Sequence, residues 1–119
     1  MTIRIKRVYE PLAATDGYRI LVDRIWPRGV AKEAAQLDEW LKDAGPSTSL
    51  RKWFNHDQKK WKEFTKRYFQ ELDSNRAAVE PIAEKARTGT VALVFAAHDV
   101  KHNNAVALKQ YLEMHYQGL

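Results

Sequence analysis

The residues able to hold or move charge in this 119-residue chain fall into three clusters. Asp23, Arg24 and Arg28 lie in the run DRIWPRG; His98, Asp99, His102 and Asn103 lie in HDVKHN; Arg51 and His56 lie in LRKWFNHD. A guanidinium binds phosphate or carboxylate bidentately. Histidine titrates near neutrality and can act as a general acid or base. Together these types suit an anionic small molecule. Arg24 and Arg28 would clamp it and Asp23 would orient Arg24. His102 would be the acid/base candidate, with Asp23 beside it in the chemistry. Asn103 would complete the site by opening a helix whose free N–H groups attract anions. Arg51, His56, His98 and Asp99 would line the same place. The plainer alternative is that Arg24 pairs with Asp23 or Asp99 and fixes the loops, while Trp53 and Phe54 are core and Asp57 is an N-cap.

Other chemistries are disfavoured. The chain has no cysteine, so it has no disulfide, thiol nucleophile or thiolate metal site. A catalytic zinc needs three protein ligands. His98 and His102 are four residues apart, but His98 ends a strand, so helical geometry does not bring them together. No metal or cofactor is expected. There is no adjacent Ser-His-Asp order and no glycine-rich phosphate loop.

The clusters sit where strands end. Tyr18–Ile25 alternates as a strand and stops at Pro27 and Gly29, which fix a turn. Ile3–Val8 alternates Ile3 and Ile5 with Arg4 and Lys6, as a half-exposed strand near a sheet edge does. The loop between them is too short for a helical crossover, so an antiparallel hairpin is one reading. Leu37, Trp40 and Leu41 have helical spacing and predict two turns of helix over Lys32–Lys42. Ser47 or Ser49 caps a short helix through Leu50, Trp53 and Phe54, and Asp57 caps the next one. That helix carries the stripe Trp61, Phe64, Tyr68, Leu72. Asn75–Arg87 predicts another, kinked or delayed by Pro81 and closed by Gly89. TVALVFAA, residues 90–97, is an unbroken apolar run, the mark of a strand covered on both faces and placed at the sheet centre. A last helix spans Asn103–Tyr116, with Ala105, Leu108, Leu112 and His115 on its inner side. The pattern implies an α/β fold, a small, mainly parallel sheet of about three strands with helices packed on it, in one domain over 1–119. If the strands ending at Asp23 and Ala97 are parallel, their carboxyl ends share the edge where open α/β sheets bind ligands.

Composition narrows the partners. A net charge of +5 and a pI near 9.5 favour anions, mildly, because 15 acidic residues are interspersed with 20 basic ones. No apolar run approaches the ~18 residues of a membrane span, and MTIRIKR does not read as a signal peptide. A cytoplasmic protein without a membrane role is expected. A second reading is a nucleic-acid-binding module using Lys59, Lys62, Lys66 and Arg67 of the helix over 57–72. A third is homo-oligomerisation through an aromatic patch, given four tryptophans.

Three stretches carry a family likeness. DGYRILVDRIWPRG, LRKWFNHD with the following Trp61, and AAHDVKHNNAVAL resemble the short, YeaO-like branch of the DUF488 family, across nearly the whole chain. The resemblance implies that the first two strands are parallel, since longer relatives have a helix between them. Those relatives carry an Asp-x-Arg pattern at the second strand end and a cysteine–histidine motif after the last strand, which places Asp23, Arg24, Pro27, His102 and Asn103 near functional patterns. Without a cysteine here, thiol chemistry does not transfer. Position 98 is His where close relatives are expected to have Arg or Lys. A transcriptional-regulator label carried by some relatives does not transfer either, because no recognition helix is visible. The resemblance names no reaction, so turnover is left open.

Overall fold

The computed structural model describes residues 2–116. Four strands form one sheet: β1 (Thr2–Arg7), β2 (Tyr18–Leu21), β3 (Glu39–Trp40) and β4 (Thr90–Phe95). Their order is β1-β4-β2-β3, and every pairing is parallel. β4 therefore lies inside the sheet, as its apolar run predicts, with Val91–Phe95 all buried. β1 is an edge strand, in keeping with its alternating charge. The hairpin reading is wrong: β1 and β2 both pair with β4 and never with each other. The sheet has one strand more than expected, because the segment after β2 returns to the sheet.

That return replaces the helix expected over 32–42. Only Lys32–Ala35 is helical (α1). The chain then extends, with Asp38 and Leu41 donating backbone hydrogen bonds to Arg19 and Leu21. Leu37 and Trp40 pack on one side of the sheet, and Leu41, the next residue along the extended chain, packs on the other. A buried ion holds this return in place. Arg19 is 4% exposed, pairs with Asp16 at 2.7 Å and donates to the carbonyls of Ala35 and Gln36.

The remaining helices are α2 (Thr48–Phe54), α3 (Trp61–Ser74), α4 (Glu80–Thr88) and α5 (Asn104–His115). Their starts follow the capping residues. Ser47 caps α2, Asn103 caps α5, and Asp57 caps a 3₁₀ turn that runs into α3. Pro81 sits in the first turn of α4, which begins at Glu80 after a separate turn at Arg76–Ala78. Gly89 follows α4 with extended backbone (φ 173°) and is not a left-handed cap. His115 is exposed rather than on the inner side of α5.

These four helices cover the face bearing Ile3, Ile20, Val22, Val91, Leu93 and Phe95, where Phe64, Tyr68, Ile82, Leu108 and Leu112 fill the core. The opposite face is smaller. Val8, Leu21, Ala92 and Val94 are covered there by Trp26, Val30, Leu37 and Trp40 of the segment between β2 and β3. No helix among the described residues is long and apolar enough to cross a membrane.

Candidate functional site

Parallel strands put the ends of β1, β2 and β4 on one edge, and an open cleft of about 1290 Å³ lies there. Asp23, Arg24, Arg28, Arg51, His56, His98, Asp99, His102 and Asn103 all line it, joined by Arg7, Tyr9, Lys52, Asn104 and the apolar side chains of Ile25, Trp26, Phe54 and Phe64. Arginine and lysine outnumber carboxylates on this lining: Arg7, Arg24, Arg28, Arg51 and Lys52 face only Asp23 and Asp99. That imbalance favours an anionic occupant.

Asp23 ties the ends of β2 and β4 to α5. Its Oδ2 accepts the Ala96 N–H (2.9 Å) and its Oδ1 accepts from Asn104 Nδ2 (3.0 Å), which also donates to the Val22 carbonyl. Burial pushes its carboxyl above the usual range. The two hydrogen bonds and the nearby charges of His56 and Arg51 oppose that shift without cancelling it. Asp23 does not orient Arg24 as the sequence suggested. Arg24 turns away, its Nε donating to the Pro46 carbonyl and its Nη2 to the Gly45 carbonyl, both at 2.9 Å, with Asp43 3.4 Å from Nη1. Gly45 allows this: a Cβ there would lie 2.9 Å from the Val22 carbonyl oxygen. The Tyr68 hydroxyl secures the same turn by donating to the Ala44 carbonyl. Arg24 thus holds a turn, with three of its nitrogens engaged by the chain and not turned to the cleft as a clamp would require. Nor does it pair with Asp23 or Asp99.

Asp99 is fully engaged. Oδ1 accepts the N–H groups of Lys101 and His102, and Oδ2 accepts from His102 Nδ1 and Gln58 Nε2, all at 2.9–3.0 Å. Led by the Lys101 N–H, these bonds hold its pKa down at about 2. An ionised carboxylate only accepts, so His102 carries its proton on Nδ1. The ring stands edge-on to Trp61, 5.3 Å between centroids. Asn103 is 2% exposed, its Oδ1 capping α5 at the Val106 N–H and its amide nitrogen donating to the Asp99 carbonyl. It builds the site rather than facing a ligand. His98 is exposed, its Nδ1 3.2 Å from Arg7 Nη2.

Arg51 differs from all of these. Its Nε is buried and has no hydrogen-bond partner. The helix carrying it ends in two successive left-handed residues, Asn55 (φ 46°) and His56 (φ 56°). Neither is glycine, so both hold a backbone conformation that costs energy. Arg28 is exposed at the mouth, and its carbonyl accepts from the Tyr9 hydroxyl. Among the described residues no three His, Asp or Glu side chains are grouped as a metal requires.

Sequence reasoning missed Arg7, Tyr9 and Gln58, and offered Asn104 only as the alternative to Asn103 at the start of the last helix. Arg7 ends β1, so a parallel assignment alone would have brought it to this edge. The basic helix face lies elsewhere: Lys59, Lys62 and Lys66 are exposed, while Arg67 pairs with Glu63 and lies over the Trp53 ring.

Fold and cleft define a small parallel α/β protein with a ligand-type hollow at the carboxyl edge of its sheet. The chain belongs to the DUF488 family: a family model described as "Inactive DUF488-N3 subclade" matches residues 2–118. Among relatives, it is 40% identical over 112 residues to the uncharacterised protein YeaO of Escherichia coli K12, covering 94% of this chain and 97% of that one. It is 38% identical over 110 residues to the uncharacterised protein Rv3073c of Mycobacterium tuberculosis H37Rv, covering 92% of each. No solved structure gives a significant match.

Proposed function

We propose that this protein binds an anionic small molecule, bearing phosphate or carboxylate, in the cleft and does not turn it over. The observation that carries this reading is Arg51. A buried guanidinium N–H without an acceptor costs about 1–3 kcal/mol or more, and an oxygen-bearing anion in the cleft would satisfy it. Arg28, Lys52 and Arg7 supply further positive charge around it. Non-catalytic binding is supported by the description of the family as inactive. It is supported too by the chain itself, which keeps the Asp99–His102 pair but has no thiol for it to activate.

The test is thermal shift and calorimetry in low salt with inorganic phosphate and with phosphorylated metabolites, comparing the wild type with Arg51→Met, which keeps the aliphatic stem. A ligand at 100 times its Kd adds about 2.7 kcal/mol to stability. A clear rise in Tm that is lost in Arg51→Met is expected. No response to any such anion, or one that survives the substitution, overturns the proposal.

A further inference from the structure

The cleft is graded from mouth to floor. Arg28, Lys52, His56 and His98 are exposed, whereas Phe54 and Phe64 are buried and stacked, 4.2 Å between ring centroids. Asp23 and the Arg51 Nε are also withdrawn from solvent. A free phosphate would need only a fraction of the volume, since clefts of 300–1,000 Å³ already take drug-sized molecules. The two carboxylates of the lining are unequal as acceptors. A carboxylate has about four lone-pair sites. Asp99 uses four on protein donors, while Asp23 uses two, one on each oxygen. Arg51 and Asp23 line the same cleft. The inner part of the cleft therefore offers an unsatisfied donor and an acceptor with spare capacity, backed by flat apolar rings.

Resting on the anion-binding reading, we propose that this floor recognises the hydrogen-bonding edge of a nucleobase-like heterocycle, with the nucleotide's phosphate at the mouth. A ring N–H or amino group donates to Asp23, the neighbouring carbonyl oxygen or ring nitrogen accepts from Arg51, and the phosphate meets Arg28 and Lys52. Tyr9 and Ile25, 46% and 54% exposed, flank the opening beside the ribose. The ligand is a nucleoside monophosphate, either free or as the end of a nucleic-acid strand.

The experiment is calorimetry on the wild-type protein with inorganic phosphate, ribose 5-phosphate, the four ribonucleoside monophosphates and 5′-phosphorylated tetranucleotides. At least one monophosphate should bind tenfold or more tightly than ribose 5-phosphate, and Asp23→Asn should narrow that ratio below threefold. If Asp23→Asn does not fold, the wild-type ratio is followed as pH is lowered from neutrality. Asp23 protonates more readily than an ordinary carboxyl, so the ratio should fall with pH. His56 and Arg51 are the charged groups beside Asp23, and the phosphate is common to both ligands, so its own titration drops out of the ratio. Arg51 and the Asn104 and Ala96 donors that face Asp23 keep their charge state throughout. Ribose 5-phosphate binding as tightly as every nucleotide overturns this inference and leaves the anion site standing. Silence from all phosphates overturns both. Tighter binding of a tetranucleotide than of its first monophosphate assigns the strand end, and equal or weaker binding assigns the free nucleotide.

Discussion

Two arginines on the same cleft have opposite fates. Arg24 places three of its nitrogens on the Pro46 and Gly45 carbonyls and on Asp43. Arg51 has no such partner among the described residues, and its Nε is buried. The carboxylates divide in the same way, Asp99 saturated by four donors and Asp23 half-used. Groups whose bonding is complete within the chain act as building material, as Arg24 does for the turn at 43–46 and Asp99 and Asn103 do for the start of α5. Groups left incomplete gather at Arg51 and Asp23, beside the left-handed His56, and on the proposed reading they are the ones that meet the ligand. An arginine in a conspicuous motif, such as Arg24, can therefore be structural, while the less conspicuous Arg51 is the one left with donors to spare.

The sharpest way to break this division is to remove each arginine. Arg24→Ala strips charged donors from two buried carbonyls and should cost about 2–3 kcal/mol in urea unfolding. Arg51→Met should leave stability within about 0.5 kcal/mol of wild type, or raise it, while ligand affinity drops tenfold or more. Equal losses of stability from both would erase the distinction. A smaller effect of opposite sign is expected at His56. His56→Gly relieves a left-handed backbone and should stabilise the fold by about 0.5–1 kcal/mol, yet weaken ligand binding severalfold. A destabilised His56→Gly would show that the turn is not strained.

The smallest effect is in acid. Asp99 has a folded pKa of about 2, below its ordinary 3.8, so its contribution is present above about pH 4 and is lost as pH falls towards 2. Asp23 is raised, so its penalty is absent below pH 3.8 and grows as pH climbs towards its folded pKa. Asp99→Asn should flatten the acid limb of a stability–pH profile. Asp23→Asn should remove part of the decline on the other side. Matching profiles for the two variants would contradict the contrast drawn between these carboxylates.

Much of this was legible beforehand, for reasons that mark the boundary of sequence reading. TVALVFAA announces a doubly covered strand because no polar face survives in it. The clusters at 23–28 and 98–103 follow strand ends, so a parallel sheet brings them to one edge whatever lies between. β3 was hidden because two residues are too few to show a period, and Leu37, Trp40 and Leu41 satisfy a helical spacing by accident. Arg24's partners were invisible because they are backbone carbonyls, which every residue owns. The isolation of Arg51 could not be read at all, since having no partner is a property of the whole arrangement.

The pairing of Thr2 with Thr90 has a kinetic consequence. β1 contacts no other strand, so the first-made segment of the chain waits for nearly the last before it has a neighbour to join. Sheets closed by such distant pairings fold slowly, because the long loop must be ordered first. The cleft draws on residues 7–9, 23–64 and 96–104, so it is complete only once β4 has taken its place between β1 and β2. Ligand capture should therefore report the finished sheet.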